Sequence, residues 1–318
     1  MKVVNFLICI AVAVALAACG GRGDAASGIE RQTSFDGEVL RIAVNRKDGG
    51  KEKFNSLRDE WYSFPWAPFI PNHAGRRWAL VKTLTEGISL AYVLVSWDND
   101  DPSDYLAAGY WLHFPGATRL RNLPLSQADV SAFVDGPEID PSNPPQLPVS
   151  GRATYIGNAG GVYSYRYGRN WADVDASVST EEFVGTITLM ANFGDNTISG
   201  CIGCVGDIEI TREHLYSILG WRAQLPKASP KDYELHFGRT KIGADGAFAS
   251  TDVAVTHPER SVTGSDGQWS GRLSNRSATD GNPRLAAGST DVRFGEADGS
   301  SGSFSALFTG SLVPQKAN

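Results

Sequence analysis

The sequence predicts an all-β protein, in which an eight-stranded antiparallel up-and-down barrel follows a smaller β-rich domain. Three observations predict it. Short runs that alternate apolar and polar residues recur at near-regular spacing, the period of a half-buried strand. Turn residues separate those runs, and 35 of the 318 residues are Gly, above the roughly 7% of an average chain. Aromatic residues make up 10%, and aromatic and β-branched side chains suit a pleated, half-buried surface. A hydrophobic content of 42% with 20% charged residues supports globular cores. The length fits about two domains of ~150 residues. A net charge of −6 argues against a nucleic-acid-binding surface, which carries a basic patch.

Residues 1–18 read as a signal peptide rather than as fold. Lys2 is followed by an apolar run from Val3 to Ala18, interrupted by Asn5, too short for a stable membrane span. Leu16-Ala17-Ala18-Cys19-Gly20 resembles the bacterial lipobox, in which the Cys is acylated and becomes the mature N-terminus. That resemblance implies lipidation of Cys19, and acyl chains anchor by ~0.8 kcal/mol per buried methylene. Gly20 and Gly21 follow, with no Asp, which implies sorting to the outer membrane. Residues 19–34 are small and polar and read as a flexible tether. Arg22-Gly23-Asp24 within it is read as a chance triplet.

The first β-rich domain is expected over 35–134. Glu38–Val44 alternates and ends before Asp48-Gly49. Ser89–Trp97 and Ala107–Phe114 are strong strands that pair as a hairpin around Asp98–Pro102. A short helix is expected from Ser126 to Phe133, with Ser126 as its N-cap. Residues 135–148 hold five prolines, which neither a helix nor a central strand accepts, so a joint is placed there. The barrel is expected over 149–314. Its opening reads as a hairpin, Arg152–Ile156 and Val162–Tyr167, turning at Gly157–Gly161. Glu182–Phe193 and Thr197–Cys201 turn at Gly194-Asp195-Asn196. Further strands are expected near Tyr233–Phe237, Phe248–Thr256, Gly267–Leu273, Ser289–Phe294 and Ser303–Leu312, with turns at Asp245-Gly246, Asp266-Gly267 and Asp298-Gly299. A barrel of about eight strands is filled by its own side chains. Its outward positions are polar, so it is not a membrane barrel.

Several ordered segments carry a resemblance. Leu147–Gly157, Gly161 and Tyr163–Gly168, with Gly267–Leu273, Asn282–Gly288, Phe294–Ser300 and Ser303–Gly310, resemble the transferrin-binding-protein-B-like barrel. Ser96–Asp101 and Phe133–Glu138 resemble the smaller handle-like β domain before such a barrel. The resemblance implies a non-catalytic lipoprotein, lipid-anchored in the outer membrane and displayed at the cell surface. It implies a protein or haem-like ligand, taken for iron acquisition together with a TonB-dependent transporter. The family's full-length member has two lobes, each of handle and barrel; this chain has room for one.

Candidate sites are few. Cys201-Ile202-Gly203-Cys204 in an exported β region reads as a local structural disulfide, with a redox or metal role as the alternative. Zinc would need two further ligands, there is no second Cys pair, and His214 stands alone ten residues on. Asp98-Asn99-Asp100-Asp101-Pro102-Ser103-Asp104 reads as a solvated turn with Asx capping. Calcium held by Asp98, Asp100 and Asp104 is the alternative, although the EF-hand pattern fails at Ser103 and Gly109. The aromatic and basic set Trp61, Tyr62, Phe64, Trp66, Phe69, Arg76 and Arg77 is the candidate ligand-binding surface, since large aromatics and Arg anchor interfaces. A plug between the two domains is its alternative. Tyr163, Tyr165 and Tyr167 share a strand face and read as barrel core. His73, His113, His214, His236 and His257 are scattered, and there is no nucleophile elbow or P-loop. The chain is therefore expected to be no enzyme and to need no cofactor. A structural or assembly lipoprotein of the envelope is the competing reading.

Overall fold

The computed structural model describes residues 30–46, 49–65, 73–119, 129–137, 147–168, 178–211, 229–274 and 281–313. It is almost entirely β, in three layers. The outermost is a three-stranded antiparallel sheet, β1 Glu30–Phe35, β2 Leu40–Asn45 and β3 Lys51–Asn55. One helical turn, α1 Ser56–Asp59, follows, with the Asn55 side chain accepting from the Leu57 amide. The second layer is a five-stranded antiparallel sheet in chain order: β4 Glu60–Pro65, β5 His73–Leu84, β6 Gly87–Asp98, β7 Tyr105–Pro115 and β8 Asp129–Asp135.

The apolar runs of β6 and β7 are nearly continuous because both faces of this sheet are covered. One face, with Trp78, Leu80, Val93 and Trp111, packs on Leu40, Ile42, Val44 and Phe54 of the outer sheet. The other, with Ala79, Leu90, Tyr92, Leu94 and Leu106, packs on Leu285, Ala287 and Leu307 of the barrel wall. Each fully buried apolar side chain contributes ~1.5–3 kcal/mol, and three apolar clusters, one inside the barrel and one at each layer contact, hold the layers together.

The third layer is the barrel. Its strands are β9 Arg152–Arg166, β10 Val178–Asn192, β11 Thr197–Ile202, β12 Glu209–Thr211, β13 Glu234–Lys241, β14 Ala247–Ser250, β15 Val253–Thr256, β16 Val262–Leu273, β17 Leu285–Glu296 and β18 Ser301–Leu312. Two pairs are single strands interrupted. β11 and β12 both lie along β10, separated by the excursion 203–208. β14 pairs with β16 while β15 pairs with β13, so the segment 247–256 joins the two edges. Eight strands then run up and down, and β18 pairs with β9 to complete the ring, leaving almost no open edge.

The interior is filled. Tyr155, Tyr163, Phe183, Phe193, Trp269 and Phe304 are all fully buried. Trp269 stacks on Phe237 at 4.9 Å, and Phe304 meets Tyr163 at 4.7 Å, spacings at which aromatic pairs are favourable.

Three sequence expectations are corrected. Residues 152–166 form one continuous strand, not a hairpin. A Cβ at Gly157 or Gly161 would sit 2.0 or 1.9 Å from the Thr309 or Ser305 carbonyl oxygen of β18, so these glycines permit close backbone approach, not a turn. Asp266-Gly267 likewise lies inside β16, with Gly267 against β17. Residues 129–133, expected as helix, belong to β8 and pair with β7; Ser126 lies outside the described residues. The turns at Asp245-Gly246 and Asp298-Gly299 are present, with Gly φ of +79° and +85°.

Candidate functional site

Three polar clusters stand out against the apolar layers, positioned by strand ends and the loops that join them. The first closes one end of the barrel. Tyr163 and Tyr165 point inward from β9, Tyr233 precedes β13, Glu296 ends β17, and Arg260 lies in the connection between β15 and β16. The buried Glu296 carboxylate accepts hydrogen bonds from Tyr165 Oη at 2.7 Å and from Tyr233 Oη. Arg260 Nη1 donates to Tyr165 Oη at 2.6 Å and lies 3.6 Å from Glu296 Oε2. Its guanidinium also covers the rings of Tyr165 and Tyr233 at 5.2 and 5.9 Å, a favourable cation–π geometry. Burial pushes the Tyr165 phenol up to about 12 and drives Tyr163 and Tyr233 higher still. At neutral pH Tyr165 and Tyr233 therefore stay protonated and donate to Glu296. The cluster satisfies a buried charge and pins the 257–261 connection over the barrel end.

The second cluster lies between the five-stranded sheet and the barrel, in the loop after β6. Asx turns shape it: the Asp100 amide donates to Asp98 Oδ1 at 2.7 Å, and the Ser103 hydroxyl to Asp101 Oδ1 at 2.6 Å. Asp98 pairs with Arg284, at the start of the barrel's β17 hairpin. Asp104 is 0% exposed, and neither carboxylate oxygen completes a hydrogen bond. Burial pushes its pKa up to about 7; the Asp98 charge adds to this, while Arg284 and the nearby Ser274 hydroxyl oppose it. Asp98 and Asp104 are thus buried at the layer contact rather than solvated, and Asp98 is committed to Arg284.

The third cluster is on the outer barrel wall. Cys201 and Cys204 are joined as a disulfide across the start of the 203–208 excursion, and His236 lies beside them. Among the described residues, these three form the only set of three His, Cys, Asp or Glu side chains whose ligand atoms gather within 4.8 Å. The carboxylates of Asp98, Asp100 and Asp104 do not gather in this way.

No family model and no curated protein matches the chain. Among solved structures, intact Ap-TbpB (N and C lobes) is similar, at 10% identity and a TM-score of 0.36. The match covers 88% of this chain and 53% of that one, so the chain spans about half the length of that structure. The barrel and its two covering sheets rest on the strand pairing itself.

The described members of the aromatic and basic set lie on the paired strands β4 and β5. Trp61 in β4 is 56% exposed. Tyr62 and Phe64 follow in the same strand, in register with Ala79 and Arg77 of β5. Trp66 and Phe69, like Cys19, lie outside the described residues. Arg76 covers the Trp78 ring at 5.6 Å. Arg77, one residue on, faces the barrel, near Tyr92 of β6 and in the field that Glu182 of β10 also exerts on that phenol. Sequence reasoning missed a buried polar network between the two front sheets. Glu52 accepts from Arg46 Nη1 at 3.2 Å and from Trp111 Nε1 at 3.1 Å, and His113 Nδ1 contacts Ser89 Oγ at 2.8 Å. Glu52 on β3 alternates with Lys51 and Lys53, and an acid at an inward position of a lysine-flanked strand was the available signal.

Proposed function

We propose that this chain is a lipid-anchored, non-catalytic binding protein of the bacterial outer membrane. In this reading Cys19 carries the lipid, and the tether is shorter than the 19–34 expected from sequence, because β1 already begins at Glu30. The layers present their outer surface to a protein or haem-like ligand, in iron acquisition alongside a TonB-dependent transporter. The observation that supports it best is the filled barrel. With Trp269, Phe304, Tyr155 and Phe183 fully buried in its interior, ligand capture falls to the outer surface, where a protein partner is the natural occupant. The exposed Trp61 is the kind of anchor such a surface uses.

Two measurements on the full chain in its own cells test this. Palmitate labelling is expected on the wild type and lost in Cys19→Ala. Protease added to intact cells is expected to cleave the displayed protein. A labelled chain fully protected in intact cells would support a periplasmic assembly lipoprotein instead.

A further inference from the structure

On the outer barrel wall, Cys201 of β11 and His236 of β13 are directly opposed across the strand pair. Alternation sends Leu235 and Phe237 into the core and leaves Glu234 and His236 facing outward. After Ile202 the chain turns at Gly203, φ +89°, whose amide still donates to the Thr186 carbonyl of β10 at 3.1 Å. This turn brings Cys204 back over the same surface, with a Cα–Cα distance of 5.9 Å to Cys201. The imidazole is held from behind: Nε2 lies 2.9 Å from Glu234 Oε2 and 3.1 Å from Thr256 Oγ1. A carboxylate only accepts, so the neutral ring places its proton on Nε2. Nδ1 then presents a bare lone pair to Cys204 Sγ at 3.8 Å. A carboxylate behind an imidazole whose other nitrogen faces two sulfurs is the arrangement that orients a metal-binding His.

We infer that Cys201, Cys204 and His236 form a redox-gated site for one thiophilic divalent cation, zinc, with Glu234 as the positioning residue. Zinc bonds of ~2.3 Å to sulfur and ~2.0 Å to nitrogen put tetrahedral ligand atoms about 3.5–3.8 Å apart. The present Sγ–Nδ1 distance already meets that, and the reduced sulfurs need only side-chain rotation. Three protein ligands leave the fourth position to water or an incoming ligand, as in open zinc sites. Loading begins with a dithiol reductant. It breaks the S–S bond, supplies two electrons and two protons, leaves two thiols, and is itself oxidised to a disulfide. Zinc binding then releases the two thiol protons to solvent. Thiol–disulfide exchange with a small-molecule or protein disulfide, which accepts the two electrons and leaves as two thiols, re-forms the Cys201–Cys204 bond and expels the ion, so the same residues hold either a disulfide or a metal.

The test is cobalt titration of the full chain, before and after reduction with a phosphine that does not bind the metal. The reduced protein is expected to take up one cobalt per chain with the visible bands of a tetrahedral thiolate site, displaced by zinc. The oxidised protein is expected to take up none. Cys201→Ser/Cys204→Ser, which keeps Cys9 and Cys19, is expected to abolish the signal. Glu234→Gln is expected to weaken binding ten- to a hundredfold with an unchanged circular dichroism spectrum. A reduced chain without one-to-one tetrahedral uptake, or a His236→Gln variant that binds as tightly as the wild type, overturns the proposal.

Discussion

Asp104→Asn removes a titratable group from the contact between the five-stranded sheet and the barrel, at almost constant shape. Asp104 is 0% exposed with both oxygens unpaired, and its pKa is raised from 3.8 to about 7. A raised carboxylate means that the folded protein holds a proton which the unfolded chain has already released. Its contribution is complete below pH 3.8 and is lost as pH rises to about 7, because the unfolded state binds fewer protons throughout that window. About two pH units of the window lie above pH 5. At ~1.4 kcal/mol per unit, the wild type loses roughly 2–3 kcal/mol from this group between pH 5 and pH 8. The substituted amide does not titrate and loses none of it. Urea unfolding of both proteins at pH 5 and pH 8 reads the difference, with a relative midpoint shift on the order of 1 M in favour of the variant at pH 8. Asp291, also pushed up to about 7 by burial, contributes its own slope to both proteins, so the comparison between them carries the result. Midpoints that move in parallel from pH 5 to pH 8 would refute the reasoning.

Three further substitutions probe the layers. Trp269→Ala opens a cavity against Phe237 and Phe248 and is expected to cost ~3–5 kcal/mol. Trp269→Phe, which also removes an indole N–H without an acceptor, is expected to cost under ~1.5 kcal/mol; equal losses in denaturant titrations would contradict a packed barrel interior. Arg46→Met strands the buried Glu52 carboxylate and is expected to cost ~3–5 kcal/mol at pH 7, with recovery in Arg46→Met/Glu52→Gln. Leu307→Asp places a charge between the five-stranded sheet and the barrel. Limited proteolysis is expected to cut the front sheets early while the barrel persists, and a cleavage pattern identical to the wild type would count against the shared core.

The β class and the barrel were legible because most strands bury one face, as in β10, where Phe183, Ile187, Leu189 and Ala191 alternate inward. The β6–β7 hairpin was legible for a different reason: a strand covered on both faces reads as a short apolar run between turn residues. What failed was the meaning of glycine. Gly157, Gly161 and Gly267 look like turns in sequence, but what they do depends on how closely β18 or β17 approaches them. Residues 129–133 failed because nothing local separates a short helix from an edge strand that pairs with β7. The Cys201–His236 neighbourhood was hidden by 35 residues of separation and by the register shift between Ile198 and Gly200, which no local spacing rule reveals. Asp104 looked like one acid among several in a polar loop, and only the docking of Arg284 and Ser274 distinguishes it.

In the proposed function, the filled barrel leaves capture to an outer surface displayed on the cell. The most direct measurement is equilibrium binding of fluorescently labelled growth-medium or host proteins to intact cells that carry the full chain, with cells lacking it as reference. Saturable binding that depends on the chain, falls at least tenfold in Trp61→Ala and vanishes after surface protease treatment is predicted. Equal binding by both cell types, from iron-limited and iron-replete cultures alike, would contradict it.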